Sequence, residues 1–257
     1  MEITITDSNK LDIFSSIFQN IKLFTTAITL QCDKERMYIQ TMDSSKISIV
    51  EIIIPAKWFS AYKCDSIISI SISTIIFYKL LSSRDKGQTM KIIYETEEKD
   101  KLFVHMESEE KTVFDRDFEA PLIDLDIEDM VVPIIEYEAE IILPSINFGL
   151  LINQLRGFGE TLQFVCNENQ IEMISKSIDS GKMSVSVEIA HLSSFEIEED
   201  KELNMSFSLN PLHNICQFCK IFNQVEIKLH SDYPLYIKFN HEELIISFFL
   251  APRITED

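Results

Sequence analysis

Met42-Asp43-Ser44-Ser45-Lys46-Ile47-Ser48-Ile49-Val50 returns, degraded, as Asp179-Ser180-Gly181-Lys182-Met183-Ser184-Val185. From Asp43 to Ile49 each position finds its counterpart 136 residues later, with Asp, Ser, Lys and Ser kept in step. Upstream, Cys32 falls on Cys166, Met37 on Ile171 and Ile39 on Met173, all at an offset of 134. The chain reads as one unit written twice. Its 257 residues suit two similar domains of roughly 120 residues each.

Hydrophobic residues make up 46% of the sequence, and no apolar run approaches the ~18–20 residues of a membrane-spanning helix. The start, Met1-Glu2-Ile3-Thr4-Ile5-Thr6-Asp7, alternates like a strand and lacks the features of an export signal, so an intracellular protein is expected. Five cysteines, an odd number in a long chain, fit buried thiols better than a disulfide framework. Cys216 and Cys219 have CxxC spacing, but no second Cys or His pair lies at zinc-finger distance. The acids of 124–129 lack the glycine and spacing of a calcium loop. No metal and no cofactor is expected.

Only five glycines are present, and polar clusters such as Asp33-Lys34-Glu35, Asn167-Glu168-Asn169 and His241-Glu242-Glu243 separate alternating apolar runs. That spacing predicts short strands joined by hairpins, hence a largely antiparallel chain. Four windows change to helical spacing: 8–22, 72–84, 145–157 and 210–222, two in each half. The second stripe is read as Ile72, Ile75, Ile76 and Leu80, with Phe77 beside it.

Within those windows Lys10, Lys22, Lys79, Arg84, Arg156 and Lys220 stand against one acid, Asp12. The whole chain has 23 basic and 42 acidic residues, so the helices are the basic part of a protein of net charge −19. A basic helical face on an acidic sheet is what a phosphate backbone requires. Between the halves, Asp115 to Tyr137 alternates acids with apolar residues, as an extended connector would, with Leu125, Ile127 and Met130 turned toward the sheets.

Four landmarks, in order, resemble the eukaryotic sliding-clamp family, proliferating cell nuclear antigen, over the whole chain. They are Met42-Asp43-Ser44-Ser45, Tyr62-Lys63-Cys64-Asp65, the Leu122-Ile123-Asp124-Leu125-Asp126 stretch leading to Pro133, and Phe249-Leu250-Ala251-Pro252-Arg253-Ile254. The resemblance implies an α+β clamp fold: an N-terminal domain at 1–119, a connecting loop at 120–134 and a C-terminal domain at 135–257, with sheets outside and helices lining an inner face. It implies a homotrimeric ring around double-stranded DNA, held without base readout. The ring would serve as a processivity factor for DNA polymerase and a platform for replication and repair proteins. An ATP-dependent clamp loader and a nuclear site, or a viral replication compartment, are implied as well. A subunit of a heterotrimeric checkpoint-type clamp, or a monomeric viral processivity factor, remains the alternative.

Lys22, Lys79 and Lys220 match basic positions on the family's inner helices, while Lys10, Arg84 and Arg156 are added on charge alone. The family's client-peptide pocket maps to Met42, Ile47, Ile49, Met130, Val132, Pro133, Tyr137, Pro234, Phe249, Leu250, Ala251 and Pro252, with main chain near Ala251 and Pro252 meeting a client glutamine. Ring closure is expected where Val113 to Ala120 of one chain meets Ser180 to Glu188 of the next, with Val113, Phe118, Met183 and Val185 at the junction. Ser15, Ser16, Asn153 and Gly157 stand where the family carries basic or histidine residues, and Glu168 stands where many relatives carry a modified lysine. No Gly-rich phosphate loop, HExxH or nucleophile elbow is present, so no enzyme is expected.

Overall fold

A computed structural model describes residues 1–110, 112–125 and 130–253. Two compact units emerge: Met1–Ser44, Glu51–Met130 and Glu242–Ile245 form the first, and Ser45–Val50, Val131–His241 and Ile246–Asp257 the second. Isoleucine at position 127 of the connector and the tail from 254 lie outside the described residues.

The duplication is visible element by element. The first half runs Glu2–Ile5 (β1), Ser8–Ile21 (α1), Ala27–Cys32 (β2), Arg36–Met42 (β3), Ser48–Pro55 (β4), Ala61–Lys63 (β5), Ile68–Ser73 (β6), Thr74–Leu81 (α2), Thr89–Ile93 (β7), Lys101–Glu107 (β8) and Arg116–Ile123 (β9). The second half repeats that order: Ala139–Pro144 (β10), Ser145–Leu155 (α3), Thr161–Cys166 (β11), Ile171–Ser177 (β12), Gly181–Val187 (β13), Ser194–Ile197 (β14), Leu203–Ser208 (β15), Leu209–Ile215 (α4), Gln224–Leu229 (β16), Leu235–His241 (β17) and Leu244–Leu250 (β18).

In the first unit the strand order is β4-β3-β2-β6-β9-β8-β7-β1-β5. In the second, the same neighbours separate into β13-β12-β11-β15 and β14-β10-β16-β17-β18. The pairings are antiparallel, as the hairpin spacing requires. Even the turns repeat. Asp33 Oδ1 accepts from the Glu35 and Arg36 amides at 2.7 and 2.9 Å, and Asn167 Oδ1 accepts from Asn169 and Gln170 at 2.9 and 3.1 Å. A short carboxylate or amide closes each hairpin in place of glycine.

Each core forms where the helices lie on a sheet. α1 starts at Asp7, whose Oδ1 accepts the Lys10 amide at 2.9 Å, and then buries Leu11, Phe14, Ile17, Phe18 and Ile21 at helical spacing. Phe18 meets Phe77 of α2 edge to face with centroids 4.7 Å apart, within the favourable range for such pairs. In the second unit Phe148, Ile152 and Leu155 of α3 are buried, and Phe218 packs on Phe248 at 5.1 Å. Gly149 permits the close approach of α3 to Cys216–Lys220, a 3-10 segment that follows α4: a Cβ at 149 would lie 3.2 Å from that of Cys219.

Three local expectations fail in part. Ile75 and Ile76 do not belong to the buried stripe of the second helix, Ile75 being 59% exposed. Ile72 is buried, but as part of β6; α2 begins only at Thr74 after the Ser73 cap, and its inner face is Thr74, Phe77, Leu80 and Leu81. The fourth window is helical to Ile215 and then tightens to 3-10 geometry. The stretch from Asp115 is also not a connector throughout, since its first part is the sheet strand β9, which pairs Lys101 with Pro121 and Leu102 with Ala120 on β8.

Candidate functional site

The six helix-window cations divide by what surrounds them. Lys10 lies 2.9 Å from Glu242 and donates to the Trp58 carbonyl at 3.0 Å, and Arg84 is paired with Asp12. Those two charges are locally neutralised. Lys22 sits 3.7 Å above the Tyr78 ring, Arg156 Nε donates to Asn210 Oδ1 at 3.0 Å, and Lys79 and Lys220 are exposed. Each of these four keeps an outward charge at or beside the end of a helix, where a cation is also favoured by the helix dipole. On the second unit, α3, α4 and the 3-10 segment after α4 enclose a groove of about 330 Å³ lined by Ile146, Leu150, Asn153, His213, Gln217 and Lys220. Its Leu150 is 56% exposed. The His213 imidazole is held below its ordinary range by burial and by the nearby charges of Arg156 and Lys220.

Residues assigned to the peptide pocket occur in each unit. In the first, Met42 ends β3, and Gln40 clamps Met130: its Nε2 donates to the Met130 carbonyl at 2.8 Å and its Oε1 accepts the Met130 amide at 3.1 Å. The same Nε2 also donates to Glu51 Oε1 at 3.0 Å, and Tyr38 donates to that oxygen at 2.7 Å. One end of the connector is thereby pinned to β3 through both main-chain groups of a single residue.

In the second unit the Ala251 amide donates to the Ile47 carbonyl at 2.9 Å, which ties the tail to the residue that leads into the strand bearing Ile49. Leu250 is 1% exposed and belongs to the core rather than to a surface. Val132, Pro234 and Phe249 are half-buried, and Pro133 and Pro252 are exposed. Tyr137 stacks on Tyr236 with centroids 5.6 Å apart, and Tyr236 tilts onto Phe249 at 5.1 Å. Sequence reasoning misses Tyr236, although it joins two residues that the reasoning finds. The signal is there: Leu235, Ile237 and Phe239 alternate inward on β17, so Tyr236 and Lys238 must face outward. Burial pushes the Tyr137 phenol up to about 12, reinforced by Tyr236 and opposed by Lys228.

Beside this aromatic row runs a charged ladder across β10, β16 and β17. Lys228 bridges Glu140 at 2.7 Å and Glu226 at 3.0 Å, and Lys238 meets Glu226 at 2.9 Å. Glu138, nearly buried, is bonded by Lys201 and takes the Ser231 amide at 2.8 Å. Burial acts to raise its carboxyl, yet these donors hold it below the ordinary value.

The junction residues lie on two edges. β9 pairs with β8 along Arg116–Pro121, while β6 meets only Leu122 and Ile123 on its other side. Phe118 is half-exposed there; Val113 precedes the strand in a turn beside the exposed Phe114. β13, with Met183 and Val185, ends the order β13-β12-β11-β15. Among the described residues both strands present unpaired main chain.

Comparison with known proteins gives this geometry its context. Residues 6–129 match the family described as proliferating cell nuclear antigen, N-terminal domain, and residues 131–254 its C-terminal domain. The chain therefore belongs to the proliferating cell nuclear antigen family of sliding clamps. It is 26% identical to the proliferating cell nuclear antigen of Chaetomium thermophilum, covering 95% of this chain and 96% of the relative. It is 22% identical to that of Saccharomyces cerevisiae with the same coverage. The crystal structure of the protein from Entamoeba histolytica shares the fold, with a TM-score of 0.87 over 98% of each chain at 19% identity. The α+β clamp fold follows from these matches.

Proposed function

We propose that the chain is the subunit of a homotrimeric ring that encircles double-stranded DNA, keeps a DNA polymerase on its template and recruits replication and repair proteins. The observation that carries this reading is the duplicated unit itself, which offers one open edge at β9, another at β13 and outward cations on its helices. Pairing β9 of one subunit with β13 of the next is a head-to-tail contact, and such a contact yields a closed ring when its rotation closes. Phe118, Val113, Met183 and Val185 supply the junction. We read 1–119 and 135–257 as the two clamp domains and 120–134 as the loop between them.

Retention on DNA then comes from topology. Lys22, Lys79, Arg156 and Lys220 attract phosphates without reading bases, an attraction that weakens steeply with salt. The role is one of binding, with no catalytic step. Clients insert a short helical turn with aliphatic and aromatic anchors against Ile47, Ile49, Val132, Tyr137, Pro234 and Phe249, as helix-in-groove partners do. An ATP-dependent loader opens the ring, and the nucleus is its place of work.

The test is retention on nicked circular plasmid after loading. The protein should stay on circles through a high-salt wash and be lost once the plasmid is linearised. Equal loss from both forms would contradict encirclement.

A further inference from the structure

Beyond Pro252 the second unit holds a groove of about 880 Å³. Gln163 of β11, Lys176 of β12 and Asn204 and Ser206 of β15 line it, and Arg253 closes one side. These strand residues alternate with buried ones such as Leu162, Phe164 and Phe207, so the groove lies on the face away from the helices of that sheet. Arg253 is fixed at both ends: its amide donates to the Ser206 carbonyl at 2.7 Å and its guanidinium to Thr161 Oγ1 at 2.7 Å. Gln163 donates to Asn204 Oδ1 at 3.0 Å. Among the described residues the lining contains two cations and no carboxylate. In a chain of net charge −19, that is a local reversal of sign.

We propose that this groove is an anion subsite for an acidic segment of the client peptide, the segment flanking the glutamine that meets Ala251 and Pro252. The inference rests on the client-pocket reading and extends it: Pro252 belongs to both surfaces, so a peptide leaving the first enters the second. Carboxylates there meet the Lys176 ammonium and the guanidinium hydrogens of Arg253 not given to Thr161, in charge-assisted bonds stronger than neutral ones. The nearest carboxylate tied to the lining, Glu138, is already engaged by Lys201 and Ser231.

The prediction is counterintuitive for so acidic a protein, and three labelled peptides test it. Each carries the glutamine, an aliphatic anchor and two aromatics; the flank on the glutamine side is three glutamates, three glutamines or three lysines. At about 0.15 M salt the glutamate flank should bind about fivefold tighter than the glutamine flank, the gain two partly exposed ion pairs supply. K176Q should remove part of that preference with binding of the glutamine-flank peptide unchanged, and K176Q/R253Q should remove all of it. Lys176 is exposed, so the single variant remains informative where the double one misfolds. A lysine flank that binds tightest, or a preference that survives K176Q undiminished, overturns the subsite alone. Failure of all three peptides to bind overturns the client pocket, and the subsite with it.

Discussion

Replacing Tyr236 with alanine removes the middle ring of the Tyr137–Tyr236–Phe249 row. Two ring pairs disappear, at 5.6 and 5.1 Å, each of which contributes about 0.5–1.5 kcal/mol beyond its buried area. The hydroxyl hydrogen bond with Ser247 Oγ at 3.1 Å adds about 1 kcal/mol. The ring is half-buried, so the destabilisation should stay below the ~3–5 kcal/mol of a fully buried aromatic. The expected value is about 2–3 kcal/mol. Tyr236→Phe keeps both ring pairs and should cost at most about 1 kcal/mol. The assay is urea denaturation at one fixed protein concentration, since assembly alters apparent stability. Anisotropy titration with the glutamine-flank peptide reads the second consequence: Tyr137 and Phe249 lose the ring that spaces them, and affinity for aromatic anchors falls. An alanine variant within about 0.5 kcal/mol of the parent would refute the reasoning, since a surface substitution at a site of no special packing behaves that way.

Glu138 and Glu226 are both held below their ordinary value of 4.5, burial notwithstanding, by lysine partners and, for Glu138, Ser231. Their contribution is therefore complete above pH 4.5 and lost as pH falls through the depressed values; a denaturation series from pH 7 to 3 should show it, and Glu138→Gln should cost about 2 kcal/mol at pH 7 and flatten the acid limb. Changing Lys22, Lys79, Arg156 and Lys220 together to glutamine should weaken DNA binding and make its salt dependence shallower by about 0.9 for each phosphate no longer neutralised, whereas Lys34→Gln on a sheet hairpin should change neither. Burial pushes the Cys32 and Cys166 thiols up to about 12 and 11, so iodoacetamide at pH 8 should label them only after denaturation; rapid labelling of the native protein would contradict their burial.

Much of the fold was legible because the sheet writes itself with period two. The buried Ser48, Val50, Ile52 and Ile54 of β4 and the Asp33 and Asn167 turns are local in sequence and physically decisive. Ile75 and Ile76 misled because β6 runs directly into α2, and an apolar run of that kind does not mark where one period gives way to the other. The ion pairs of Lys10 with Glu242 and of Arg84 with Asp12 join residues far apart in the chain, so charge counting alone overstated the outward cations. The groove at Arg253 was invisible for the same reason: three strands and the tail build it together. Tyr236 could have been found from alternation alone, since its neighbours Leu235 and Ile237 point inward.

The ring is the central claim, and absolute mass in solution tests it most directly. Light scattering over a dilution series at two salt concentrations should give three times the 29.8 kDa chain, about 89 kDa, persisting on dilution. A mass that stays at the 29.8 kDa of one chain would contradict a closed homotrimer and leave the β9 and β13 edges without the partners assigned to them.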